Sequence, residues 1–356
     1  MICVAIDYHK KYSQVEAMNR EGKVLSRARL VNDELTLKRW FSSLGGGCEV
    51  VLEACRNWQV MYEILELMDE VEKIHLANPY KVRAIAEAKI KTDTIDTHTL
   101  AHLLRCGLIP AVHVPSKETR RAKEVLRQRM FLVRVRTQFK NRIHALLDRY
   151  RVSLPSFSDL FGRNGLSYLR KLKLPYPGDF LLAQDLSLLE ALDLCIKEAE
   201  GEVRALLSGD ERFEIARSLP GLGPILAGVS VLEIDRVERF SRPEKLVSYA
   251  GLVPSTYASG GKVYRGHLIK QSNKWLRWAM VEASWAAQRS SPYFQAYYQR
   301  HLSKGHNTAI VALARRMLEI LWHLLTDKLC YEERPIRTFS SPPPSQNVSH
   351  LGCCQV

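Results

Sequence analysis

The chain has 356 residues, 52 Lys and Arg against 38 Asp and Glu, and a formal charge of +14. Apolar residues make up 46% of it, enough for real cores and too many for a disordered chain. No apolar run approaches the roughly 20 residues of a membrane span, and MICVAIDYHKK lacks the pattern of a signal peptide, so a cytoplasmic, globular, basic protein is expected. Eight cysteines lie scattered at 3, 48, 55, 106, 195, 330, 353 and 354, with no zinc-ligand spacing; they read as small hydrophobes in a reducing compartment.

The N-terminal part alternates β and α. ICVAID, YSQVEAMN and KVLSRARLV read as three strands joined by turns short enough for antiparallel hairpins. A helix follows over about 34–44 and stops at Gly45-Gly46-Gly47. CEVVLEA reads as a buried strand, residues 58–68 as a helix, KIHLAN as a strand, and Pro79 opens another helix. Three antiparallel strands followed by β-α-β units give the order of the ribonuclease H fold.

Residues 116–150 read as one long helix. Val125, Leu132, Phe139 and Leu146 recur every seven residues, with Val135 and Ile143 between them. Such a seam suits either an intramolecular helical hairpin or a dimer contact. From Lys117 to Arg151 twelve basic residues face only Glu118, Glu124 and Asp148. A solvated helix mixes signs, so a run this one-sided points to a polyanion, most simply nucleic acid. Its candidate contacts are Arg120, Arg121, Lys123, Arg127, Arg134, Lys140 and Arg142. A second compact unit starts near Phe213, is mainly helical to about Leu329, and gives way at Arg334 to a polar, Pro-rich tail expected to be disordered.

Four carboxylates stand out. Asp7 and Glu53 each end an apolar strand, where an acid is costly unless paired or bound to a cation. Asp93 and Asp96, three apart, share a helix face in KTDTIDTHTLAHLL. Converging carboxylates repel one another. A hard divalent ion resolves the repulsion, and oxygen-only ligands favour Mg2+. Helix capping alone would also explain Asp93 and Asp96.

In the C-terminal part, PGLGPILA resembles a helix-hairpin-helix turn, with Gly221 and Gly223 letting the backbone approach a phosphate. In YASGGKVYRGHLIKQSNKWLRW, Lys262, Arg265, Lys270 and Arg277 interleave with aromatic residues, a composition suited to a nucleic-acid backbone. Ser259 precedes two glycines; on the residues alone it is an ordinary hairpin turn.

The blocks VAIDYHKK, VVLEAC and NPYKVRAIAEAKIKTDTIDTHTLAHLL resemble the amino-terminal domain of the IS110-family transposases, relatives of the Piv-type DNA invertases. PGLGPILA, YAGLVP and the Ser-Gly-Gly block resemble the family's carboxy-terminal transposase domain. CRNW after Glu53 departs from the family's usual Thr-Gly before an aromatic, and Ser272 stands where the family usually has Gly before Asn. The resemblance spans about residues 1–330 and implies an α/β RuvC-like domain over 1–115, a helical coiled-coil and dimerisation region over 116–210, and a mainly α serine transposase domain over 211–330; the tail over 331–356 lies outside it. It implies that Asp7, Glu53, Asp93 and Asp96 hold Mg2+ and that Ser259 is the nucleophile joined to DNA. It also implies an element-encoded guide RNA, donor and target DNA, and a homo-oligomer, at least a dimer and a tetramer when active, in which the metal of one subunit meets the serine of another. A metal-dependent nuclease or junction resolvase using water, and a decayed nucleic-acid-binding relative, are the alternatives.

Overall fold

The computed structural model describes residues 1–85, 92–259 and 262–333. Residues 86–91, Gly260, Gly261, the expected disordered tail from Arg334, and the side chains of Ser259 and Arg265 lie outside the described residues. Two compact units divide at Pro115/Ser116.

The first unit is built on a five-stranded sheet. Strands β1 (Ile2–Tyr8), β2 (Tyr12–Met18) and β3 (Val24–Val31) come first, then helix α1 (Glu34–Ser43), β4 (Cys48–Glu53), α2 (Trp58–Leu65), β5 (Val71–Ala77), α3 (Pro79–Ile85) and α4 (Asp93–Arg105). The strand order is β3-β2-β1-β4-β5; β1, β2 and β3 pair antiparallel, and β4 runs parallel to β1 and β5. This mixed α/β arrangement fits the RuvC-like domain expected from the sequence.

Local chemistry explains the layers. Residues 2–6 of β1 are all buried because that strand is central. Side chains alternate across a strand. Ile2, Val4 and Ile6 therefore join Val50 and Leu52 under α1 and α2, against Leu37, Phe41, Met61 and Leu65. Cys3, Ala5 and Val51 face the other way, against Leu100, Ala101 and Leu104 of α4. Asp33 caps α1 by accepting from the Thr36 amide at 2.8 Å. Edge strand β3 alternates half-buried and exposed residues and carries Arg27 and Arg29, charges that blunt an edge.

Among its described residues, the second unit is mainly helical, with one hairpin. Helix α5 (Lys117–Arg149), α6 (Arg163–Lys171) and α7 (Gly178–Leu206) are followed by α8 (Glu211–Ser218), α9 (Pro224–Ile234) and α10 (Pro243–Ala250). The hairpin is β6 (Pro254–Ser259) with β7 (Lys262–Leu268), and α11 (Lys274–Ser290), α12 (Pro292–His301) and α13 (His306–Asp327) close the unit. Leu276, Ala279, Met280 and Ala283 of α11 pack in one core with Leu313, Ala314, Met317 and Leu321 of α13.

The long helix α5 lies antiparallel to α7. Ile143, Leu146 and Leu147 meet Leu182, Leu186 and Leu189 in a separate core. Beside that seam runs a ladder of ion pairs: Arg129–Glu200 at 2.6 Å, Arg136–Asp193 at 2.9 Å and Arg142–Asp185 at 2.9 Å. The first two rungs are seven residues apart on both helices, the repeat of an antiparallel coiled coil. The heptad seam thus has an intramolecular partner.

Candidate active site

The alternation that layers the sheet also aims its acids. Asp7 continues the Cys3–Ala5 face of β1, and Glu53 continues the Val51 face of β4, so both sit on the side covered by α4. The register pairs Ile6 with Leu52, which puts Asp7 and Glu53 at neighbouring strand ends. Helix α4 begins at that end. Thr92 caps it, its hydroxyl accepting from the Ile95 amide at 3.2 Å, and Asp93 and Asp96 occupy its first turn. The unpaired amides there carry partial positive charge, which favours both acids.

A third group enters between them. His9 follows β1, its amide bonded to the Tyr12 carbonyl at 3.0 Å. Its Nε2 lies 3.2 Å from an oxygen of Asp7 and 3.2 Å from an oxygen of Asp93. Ligand atoms of Asp7, His9 and Asp93 all fall within 4.8 Å of one another, a possible acidic metal site. Tyr12 donates its hydroxyl to Asp93 at 3.2 Å, and the Arg29 guanidinium stacks 3.7 Å from the Tyr12 ring. Burial pushes the Asp7 carboxyl above the usual carboxylate range, and Asp93 and Asp96 push the same way against the opposing pull of His9. A cation relieves just this strain, so the donor set fits one.

Asp7 and Asp93 therefore come together, with Asp96 near enough to act on Asp7 electrostatically. Glu53 and Asp96 are not among the atoms within 4.8 Å. Sequence reasoning missed His9. The available signal was its place two residues after a strand-end acid, where the chain must turn back over that acid.

The serine region is a hairpin with tightly held feet. Ser259 ends β6 and pairs with Lys262 in β7. At the base, the Ile269 amide donates to the Val253 carbonyl at 3.2 Å and the Asn273 amide to the Tyr249 carbonyl at 2.8 Å. Arg277 Nε donates to the Ala250 carbonyl at 3.1 Å, and its Nη2 donates to the Ile269 carbonyl and the Ser272 hydroxyl. Asn273 Nδ2 donates to Glu233 at 2.8 Å and to the Tyr249 hydroxyl at 2.9 Å.

This packing engages several residues expected to contact nucleic acid, Arg127 and Arg142 among them, while those two side chains stay more than half exposed. Arg277 is half-buried and engaged by carbonyls, not open to a phosphate. Gly221 has φ +87°, and a Cβ there would overlap the Ala283 carbonyl of α11; its close approach is to a helix of the same unit. Gly223 stands at the N-terminus of α9 with open space around it. In α5, Arg120 and Lys123 are buried. Lys123 pairs with Glu233 at 3.1 Å, Arg127 with Glu233 at 3.3 Å, and Arg142 with Asp185. The run looked one-sided because its partners lie on α7 and α9. Arg121, Arg134, Lys262 and Lys270 are exposed, and Lys140 lies half-buried 4.8 Å from the Phe161 ring centre. No helix among the described residues is long and apolar enough to cross a membrane.

Comparison with known proteins converges on one group. Residues 4–152 match a transposase model of the DEDD IS110 type, and residues 213–299 match the model described as transposase IS116/IS110/IS902 family. A probable family 20 transposase of Pseudomonas aeruginosa is 26% identical over 346 residues, 92% of this chain and 98% of that protein. The transposase for insertion sequence element IS1328 of Yersinia enterocolitica is 25% identical over 91% of this chain and 96% of its own length. An uncharacterized 44.8 kDa protein of insertion element IS116 from Streptomyces clavuligerus is 34% identical over 148 residues, 41% of this chain and 37% of that protein. With both transposase domains present in order, the chain is a DNA transposase of the IS110/IS116/IS902 family.

Proposed function

We propose that the protein is the recombinase of an insertion sequence, cutting and rejoining DNA through a covalent phosphoserine link at Ser259, with Mg2+ held by Asp7, Glu53, Asp93 and Asp96. The observation that carries this reading is the meeting of Asp7 and Asp93 at the end of a central strand, with the Asp7 carboxyl raised by burial and by its acidic neighbours. When bound, the ion supplies charge stabilisation at a transferring phosphate.

The remaining work falls to the chain. Asp7 and Glu53 are presented by rigid parallel strands, Asp93 and Asp96 by one helical turn. Ser259 Oγ attacks the phosphorus; one phosphoester bond forms as another breaks, so no nucleotide fuel is needed. Exposed Arg121, Arg134, Lys262 and Lys270 hold the DNA and an element-encoded guide RNA. The active form is a homo-oligomer of at least two copies.

The test is a denaturing adduct assay on protein expressed with its flanking DNA, so that any guide RNA is supplied. Wild type is expected to give a Mg2+-dependent protein–DNA adduct that Ser259→Ala and Asp7→Ala both lose. Cleavage without an adduct moves the reading to a nuclease that uses water. Binding without strand breakage moves it to a decayed relative.

A further inference from the structure

The face of the sheet under α4 holds a second group of titratable side chains, beyond the first turn that carries Asp93 and Asp96. Glu16 of β2 is buried there, 1% exposed, yet answered on both oxygens. Arg27 Nε donates to one oxygen at 2.7 Å, and His98 Nδ1 donates to the other at 2.5 Å. That bond places the His98 proton on Nδ1 and leaves a lone pair on its Nε2. His102 lies four residues further along α4, on the same helix face. Its Nε2 is 3.2 Å from the Nε2 of His98, with the rings edge to face and their centres 4.5 Å apart.

Two metal–nitrogen bonds of about 2.0–2.1 Å meeting at a near-tetrahedral angle set their nitrogens roughly 3.3–3.4 Å apart. The gap between the two imidazoles is within a few tenths of an ångström of that chelating distance. The donation of His98 Nδ1 to a buried carboxylate is the outer-shell arrangement that orients a metal-bound histidine and raises its basicity.

We propose that His98 and His102 form a binding site for a borderline transition-metal ion (Zn2+, Ni2+ or Cu2+), with Glu16 as the carboxylate that orients His98. The His98 side chain is 40% exposed, so water reaches the remaining coordination positions. Burial, with Arg105 acting the same way, holds His102 below the usual imidazole range. A pair of nitrogen donors favours these ions over Mg2+, whereas the acidic group offers mainly carboxylate oxygens with one imidazole. Arg27 Nη2 lies 3.2 Å from His98 Nδ1, and Arg105 Nη2 lies 3.4 Å from His102 Nδ1. Both cations are on the far side of the rings from the gap. Binding moves the His102 proton to Nδ1, so Arg105 must give up its contact; it opposes the ion, whereas Glu16 supports it.

The test is calorimetric titration of the untagged full chain with Ni2+, thiols blocked by iodoacetamide and excess Mg2+ present. One Ni2+ per chain is expected. His98→Ala and His102→Ala should each weaken binding roughly tenfold or more, Glu16→Gln about 10–100-fold, and Arg105→Ala should tighten it. Asp93→Asn should leave Ni2+ affinity unchanged. Equal affinity in His102→Ala and wild type overturns the proposal. So does a loss in Asp93→Asn that His102→Ala does not share, which assigns the ion to the Asp7–His9–Asp93 group. The half-exposed His102 keeps the test valid should the buried Glu16 variant fail to fold.

Discussion

The guanidinium of Arg277 fills the space that a Cβ on Gly251 would need. Gly251 closes α10 in the left-handed conformation, φ +70°. Arg277 in turn joins the Ala250 and Ile269 carbonyls, one at each foot of the β6–β7 hairpin. Gly251→Ala meets a left-handed backbone penalty of about 1–2 kcal/mol and this overlap as well, so thermal unfolding should show a clear drop in Tm. Arg277→Lys keeps the charge but loses the planar fork. It should speed amide exchange through 262–268 while leaving the salt dependence of DNA binding as it is. A phosphate-contacting arginine would instead lower the log–log salt slope by about one.

The crowding of acids around Asp7 has a sign that can be measured. A carboxyl raised in the folded state binds its proton more tightly folded than unfolded. Folding stability from this group is therefore greatest at acid pH and falls as pH rises through the carboxylate range. At neutral pH, with chelator present, Asp7→Asn should melt a few degrees above wild type. Adding Mg2+ should raise the Tm of wild type and leave the variant where it was. A variant that melts lower in chelator contradicts the repulsion.

The ladder between α5 and α7 should behave as coupled pairs, not as surface decoration. Arg129 is 17% exposed and Glu200 29%, so both are half-buried. Removing one partner strands the other in a half-dry seam. Glu200→Ala should cost about 1–2 kcal/mol, between the exposed and buried cases. The double variant with Arg129→Ala should recover part of that loss in a denaturant-unfolding cycle. Additive losses would show that the rung contributes nothing as a pair.

Cys48 is buried at the start of β4, and burial pushes its thiol up to about 11 from an ordinary 9.0. The folded chain holds this proton where the unfolded chain has begun to release it. Its contribution is thus complete below pH 9 and lost between pH 9 and about 11, on the order of 2 kcal/mol. Wild type should lose more stability than Cys48→Ala across that interval in denaturant titrations. Iodoacetamide at pH 8 should modify exposed Cys106 and Cys195 and spare Cys48.

The strands were legible because central β1 and β4 are continuous apolar runs and the hairpin turns are short. Helix α5 was legible because its pattern holds over 33 residues. Asp7 and Asp93 stood out as acids at element ends, a local signal. What sequence could not show was partnership across the chain. Lys123 meets Glu233 110 residues later, Arg142 meets Asp185 43 later, and Arg129 meets Glu200 71 later. No window along the chain contains both members of such a pair, so α5 read as uncompensated charge. His9 escaped for a related reason: its role depends on Asp93, which only the packing of α4 on β1 brings near.

Helix α4 starts where it does because Thr92 caps it, and that start hands Asp93 and Asp96 to the amide-rich end of a helix. The consequence is one of timing. Backbone amides and His9 already answer much of the negative charge, so the acids take their places when the chain folds, before any ion arrives. Ion loading is then a reversible event on a finished protein. On the proposed function, chelation should idle the same molecule and added Mg2+ should restart it, with no refolding between.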